Sequence, residues 1–268
     1  MPVYQKITSL SPRTTELLLA LGAAEKMVGV AYQKSSRYPL FGTIPSLGEV
    51  ENISIDSIKS IGAQAIYTTP DVKLEDSFIN DIQREGIDII TFDARSIEET
   101  GDEIYRIART VARSTQAEKL VTRMMYGIEE TRRRVKDMEP IRTAFFTGNA
   151  PYTVAGRESI ITELLEINAL DNVYKDIPKK DAQIDLSTLK LLDPQLILLP
   201  DSPIVMNDDD AFTMGQYTEH ALTVFVPGDM FTPGVGLTML GEFYRELNEK
   251  MRRFTGENLA NRGVPTYF

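Results

Sequence analysis

Hydrophobic positions along the chain follow two periods in alternation. Val3–Ser9, Met27–Ala31, Ala65–Tyr67 and Ile87–Phe92 are short apolar runs bounded by turn formers and read as strands. Between them lie helical patterns. Ser11 suits an N-cap and Pro12 the first helical position, the run Leu17, Leu18, Leu19 and Leu21 follows, and Gly22 stands where the helix stops. Asp56–Ile61 and Phe78–Glu85 are two further short helices. Strands and helices alternating at this spacing predict a mostly parallel sheet.

The middle of the chain has a different period. Ser96–Arg113 and Thr115–Met138 contain no proline, and apolar residues recur at Ile104, Ile107, Ala108 and Val111, then at Leu120, Met124 and Ile128. The second stretch predicts one helix ~36 Å long. Its last turns carry Arg132, Arg133, Arg134 and Lys136, which complement the negative end of a helix dipole, and Pro140 stops it. Alternation then resumes, with strands at Ile141–Phe146, Leu196–Leu199 and Leu222–Val226 and helices at Glu158–Ile167, Leu189–Leu192 and Leu237–Phe254. Glycine and proline make the tail from Thr255 to Phe268 irregular.

The two halves repeat each other. Ile55–Tyr67 and Leu186–Leu198 share their apolar positions, and Lys59, Gln64 and Ile66 recur as Lys190, Gln195 and Ile197. The tetrapeptide TELL occurs at Thr15–Leu18 and again at Thr162–Leu165. Expected is an α/β fold of two similar lobes with central, mostly parallel sheets, joined by one long helix. The lobes are residues 1–114 and 140–268, and the connecting helix is 115–139.

Composition narrows the chemistry. With 29 basic against 39 acidic side chains and a net charge of −10, the chain lacks the basic face a nucleic acid needs. No run reaches the ~20 apolar residues of a membrane span. Among 268 residues there is no cysteine, no tryptophan and one histidine, His220. Thiol nucleophiles, Cys-ligated zinc and iron–sulfur clusters are thereby excluded, and so is any His-rich metal centre. A Ser-His-Asp triad would have to use His220, no GxSxG elbow exists, and no catalytic residue is assigned. Phosphate-binding glycine motifs are missing apart from Gly234-Val235-Gly236, which reads as a helix cap. The run Asn207–Asp210 lacks EF-hand spacing and reads as an exposed acidic loop. No metal ligands and no cofactor are expected.

What remains are loops at the carboxyl ends of the strands, where open α/β sheets bind their ligands. SPRTT (11–15), AYQKSSRYP (31–39), TTPD (68–71), GNAPYT (148–153), PDSP (200–203) and PGDMFTPG (227–234) are rich in Tyr, Thr, Asn and Pro. Ser11, Arg13, Tyr32, Tyr38, Thr69, Asn149, Tyr152, Asp201, Asp229 and Phe231 are the candidate ligand contacts. Aromatic rings, hydroxyls and amides bind a broad ligand without reacting with it.

These segments carry a resemblance. SLSPRTTELLLALGAAEKMVGV (9–30) resembles the opening of substrate-binding proteins of iron–siderophore, haem and cobalamin ABC importers, the cobalamin type above all. PSLGEVENISIDSIKSIGAQAIY (45–67), PYTVAGRESIITELLEINALDNVYKD (151–176), IDLSTLKLLDPQLILL (184–199) and PGDMFTPGVGLTMLGEFYREL (227–247) are similar to its later segments in order. The resemblance implies two α/β lobes joined by a rigid helix with the ligand in the cleft between them. It adds Gly48 and Glu49 to the candidate contacts. It also implies docking to an ABC permease through one acid on each lobe, at positions that are here Asp56 and Ser187. The family's cobalamin binders often place an Arg four residues after the equivalent of Asp229, where this chain has Pro233, and its haem binders a Tyr where this chain has Glu49. A metal would arrive wrapped in its own organic ligand, as a cobalamin-like corrinoid or a ferric siderophore. A permease-independent binder for storage or sensing is the alternative. An extracytoplasmic location is expected if a leader was removed, and a cytoplasmic one if Met1 is native.

Overall fold

The structure is a computed structural model that describes residues 2–32, 44–149, 151–201, 206–231 and 266–267. It divides into two compact units, Met1–Arg123 and Met124–Phe268. The predicted helix Leu237–Phe254 lies outside the described residues.

The first unit is built on five parallel strands in the order β3-β2-β1-β4-β5. They are β1 (Ile7–Ser9), β2 (Met27–Tyr32), β3 (Ser46–Glu49), β4 (Ala65–Thr68) and β5 (Asp88–Thr91). Helices α1 (Pro12–Ala20), α2 (Ile55–Ser60), α3 (Asp76–Arg84) and α4 (Ile97–Thr110) join or follow them. β1 and β4 are buried at every position, as central strands covered on both faces must be. Leu10, Ile58, Ile66 and Ile82 form the heart of a core on one side of this sheet. Ser11 has the extended backbone of an N-cap and Pro12 opens α1, yet the Ser11 side chain makes no capping bond. Gly22, with φ +69°, turns the chain out of the helix as only glycine does without strain.

Helix α5 (Ser114–Val135) starts in the first unit and ends in the second. Ala112, at φ +54°, separates it from α4. In the second unit β6 (Ile141–Asn149), β8 (Leu170–Asn172), β10 (Leu196–Pro200) and β11 (Leu222–Val226) are parallel, in the order β11-β10-β6-β8. This matches β5-β4-β1-β2 of the first unit. The helices match too: α6 (Ile160–Ile167) follows β6 as α1 follows β1, α7 (Thr188–Leu192) precedes β10 as α2 precedes β4, and α8 (Asp208–Gly215) precedes β11 as α3 precedes β5. The repeated sequence segments are thus repeated structure, and the two-lobed α/β expectation holds.

Three expectations are corrected in the second unit. GNAPYT (148–153), expected as an open loop, joins β6 to an antiparallel partner, β7 (Tyr152–Ala155), with Asn149 opposite Tyr152. β9 (Asp181–Gln183) extends that arm. Asn207–Asp210, expected as an exposed acidic loop, is the capped start of α8, because the Asn207 side chain accepts from the Asp209 and Asp210 N–H groups. Within the tail expected to be irregular, Thr266–Tyr267 form β12 and pair with β11. Among the described residues no helix is long and apolar enough to cross a membrane.

Candidate functional site

In the first unit the candidate residues collect where the parallel strands end. A buried hydroxyl cluster builds the turn from β1 into α1. The Ser11 carbonyl accepts from the hydroxyls of Ser9 (3.0 Å), Thr14 (3.1 Å) and Thr15 (2.9 Å), and the Thr15 hydroxyl also donates to Ser9 Oγ at 2.8 Å. Thr69, one residue past β4, donates to Ser11 Oγ at 2.9 Å. Ser11 and Thr69 are 2% and 1% exposed. They support the loop surface from beneath.

Arg13 lies in the first turn of α1 and is half-buried there, where the helix carries no acidic residue. A cation at a helix N-terminus opposes the dipole, so this position gains from an anionic or strongly polar neighbour. Gly48 has φ +85°, which fits glycine, and bends the chain just before Glu49. The half-buried Glu49 accepts from Asn52 Nδ2 at 3.2 Å. Tyr32 ends β2 and is the register partner of Glu49. Tyr38 lies outside the described residues.

In the second unit Asp201 ties two strand ends together. Its N–H donates to the Val226 carbonyl at 2.9 Å and its carboxylate accepts from the Gly228 N–H at 3.3 Å. Asp229 sits on the single 3-10 turn that follows, Gly228–Phe231. Phe231 is 2% exposed, its ring 4.8 Å from that of Phe145. Tyr152 and Asn149 are partly exposed, and both bond to one carboxylate, that of Asp210. Burial and then the Asp210 carboxylate push the Tyr152 phenol above its ordinary pKa, while a bond from the Thr213 hydroxyl acts the other way. Tyr152 also meets Phe146 edge to face at 6.1 Å.

Sequence reasoning missed Asp210. The available signal was its place three residues after Asn207, the spacing of a reciprocal cap, and the structure has both halves of that cap. His220 precedes β11, at the opposite end of the strand from these loops, and is exposed beside Glu219. Among the described residues no group of three or more acidic or histidine side chains is arranged to hold a metal ion.

The two expected docking positions open equivalent helices. Asp56 is exposed in the first turn of α2, whose cap is Ser54. Ser187 is exposed before α7, and its N–H donates to Asp185 Oδ1 at 2.8 Å. This bond, with one from the Ser187 hydroxyl, holds the Asp185 carboxyl below its usual range. Aligned on the repeat, Ser54-Ile55-Asp56 stands against Asp185-Leu186-Ser187, so acid and hydroxyl have exchanged places.

Comparison with known proteins identifies the family and the fold. The sequence model of the periplasmic binding protein family matches residues 7–216. The vitamin B12-binding protein of Pectobacterium atrosepticum is 20% identical over 231 residues, 83% of this chain and 81% of that protein. That of Yersinia pestis is 22% identical over 219 residues, 79% of this chain and 75% of that protein. Among solved structures, a Staphylococcus epidermidis protein described as a possible iron-binding (periplasmic solute-binding) protein superposes with a TM-score of 0.77 at 20% identity, covering 91% of this chain and 98% of that one. A periplasmic heme-binding protein of Vibrio cholerae gives 0.76 at 17% identity, covering 92% and 98%. Sequence over most of the chain and fold over nearly all of it agree, and the chain belongs to the periplasmic binding protein family.

Proposed function

We propose that the chain is the ligand-capturing component of an ABC importer, and that it takes a metal chelate, either a corrinoid or a ferric siderophore. The observation that carries this reading is the alignment across 83% of the chain with a vitamin B12-binding protein. The side chains at the strand ends support it. Partly exposed Arg13, Glu49, Asn149 and Tyr152 offer charge, amide and aromatic surface, while Ser11, Thr69 and Phe231 are packed beneath. In each unit these groups suit a polar-edged ligand and include no activated nucleophile.

Importer function also needs a surface for the permease. Asp56 serves the first unit. In the second, Asp185 supplies the carboxylate that Ser187 lacks. The protein would work outside the cytoplasm, as its family does. Titration calorimetry with cyanocobalamin, cobinamide and ferric hydroxamates tests the ligand class. Binding of one chelate at micromolar or better affinity is expected, and binding of none at millimolar concentration overturns the reading.

A further inference from the structure

In the second unit three hydrogen-bond donors converge on one side chain. Asp210, 7% exposed in the first turn of α8, accepts the Tyr152 hydroxyl on Oδ1 at 3.0 Å. Its Oδ2 accepts Asn149 Nδ2 at 3.3 Å and the Asn207 N–H at 3.0 Å. A carboxylate offers acceptors only, which fixes the sense of every bond around it. The Tyr152 phenol must give up its hydrogen to Asp210, and Asn149 must turn its nitrogen inward. Asn149 keeps its amide oxygen and one N–H for a ligand, and the Tyr152 oxygen, which also takes the Thr213 hydroxyl, keeps one lone pair, so two of the three groups on offer are acceptors.

We propose that Asp210 is a specificity-determining positioning residue. By holding the Tyr152 O–H and one of the two Asn149 N–H groups, it biases this corner of the site towards a ligand edge that carries N–H donors, namely a primary carboxamide, whose carbonyl can also take the second Asn149 N–H. A ligand carboxylate meets two acceptors there and only the second Asn149 N–H, so it binds more weakly than the carboxamide. Burial and the Asp210 carboxylate both disfavour the phenolate, so the Tyr152 hydroxyl keeps the hydrogen that it gives to Asp210. The inference rests on the importer reading above and narrows its ligand class.

The test uses cyanocobalamin, whose corrin side chains end in carboxamides, against the same corrinoid with one carboxamide hydrolysed to the acid. The wild-type chain should favour the carboxamide form by about tenfold or more, as expected for a site built to bond a group its competitor lacks. Asp210→Asn can itself donate to Tyr152, and the preference should fall to about threefold or less. Asn207 also bonds Asp210, so that variant can lose helix stability. Tyr152→Phe leaves the cap intact and should lose the preference equally. Retention of the full preference by Tyr152→Phe, or equal binding of both corrinoids by the wild type, overturns the inference and leaves the importer reading standing. So does a chain that takes only a ferric siderophore. Binding of no chelate at all overturns both.

Discussion

The Thr69 hydroxyl donates to Ser11 Oγ at 2.9 Å and so fastens the end of β4 to the start of α1. Both groups are buried, and Ser11 leaves its usual capping role to make the contact. Replacing Ser11 by Ala strands a buried Thr69 donor, which costs about 1–3 kcal/mol. The expected result for Ser11→Ala is a lowered denaturation midpoint with ligand affinity changed by less than about threefold. Lost affinity at an unchanged midpoint would instead make Ser11 a direct ligand contact.

The elements legible in the sequence are those fixed by local pattern. β4 and β10 are uninterrupted apolar runs because each is buried throughout, and TELL recurs because α1 and α6 present the same buried stripe to their sheets. β7 and β9 were not legible. Tyr152–Ala155 carries no alternation that separates it from a loop, and its strand conformation follows from pairing with the far end of a long β6. The candidate site was readable as a set of loops but not as separate roles. Whether Ser11 or Phe231 faces a ligand or a neighbour depends on Thr69 and Phe145, which are distant in sequence.

Two glycines should respond oppositely to alanine. A Cβ on Gly156 would stand 2.2 Å from the Lys179 carbonyl oxygen and 2.9 Å from that of Ile177, both backbone atoms. Gly156→Ala should destabilise by about 1–3 kcal/mol, as overpacking against fixed neighbours does. A Cβ on Gly127, inside α5, meets nothing within 4 Å. Gly127→Ala should stabilise by about 1 kcal/mol through helix propensity. Urea unfolding midpoints at constant m-value check both, and matching signs would refute the packing argument.

Alkaline unfolding should be controlled in part by Tyr67. The ring is fully buried on β4, and burial pushes its phenol up to about 12, with the bond to Thr110 opposing. Above the ordinary tyrosine pKa of about 10, the unfolded chain loses a proton that the folded chain keeps, so stability falls as pH rises from about 10 towards 12. The loss is on the order of 2 kcal/mol. Tyr67→Phe should be less stable at pH 7, by about 1 kcal/mol for the lost hydrogen bond, but should show a shallower decline above pH 10. Thermal midpoints from pH 7 to 11 measure this, and parallel curves for the two proteins would exclude Tyr67 as the cause.

If the chain serves an importer as proposed, the exchange of acid and hydroxyl between Ser54-Ile55-Asp56 and Asp185-Leu186-Ser187 predicts how each unit would engage a permease. Each unit has an exposed carboxylate at the opening of its short helix, but in the second it sits two residues earlier and is steadied by the Ser187 N–H. Exposed charges of this kind govern the rate and register of encounter with a basic surface more than the final affinity. Asp56→Asn and Asp185→Asn should each slow association with the partner permease several-fold at low salt, and the effect should shrink as the Debye length falls below about 8 Å. Moving the acid back with Asp185→Ser and Ser187→Asp together retains the net charge and should recover most of the rate. Association kinetics with the permease in lipid nanodiscs, at low and high salt, distinguish these outcomes. A rate unchanged by Asp185→Asn would deny that carboxylate a docking role, and failure of the double exchange to recover the rate would show that its position two residues earlier is what the permease reads.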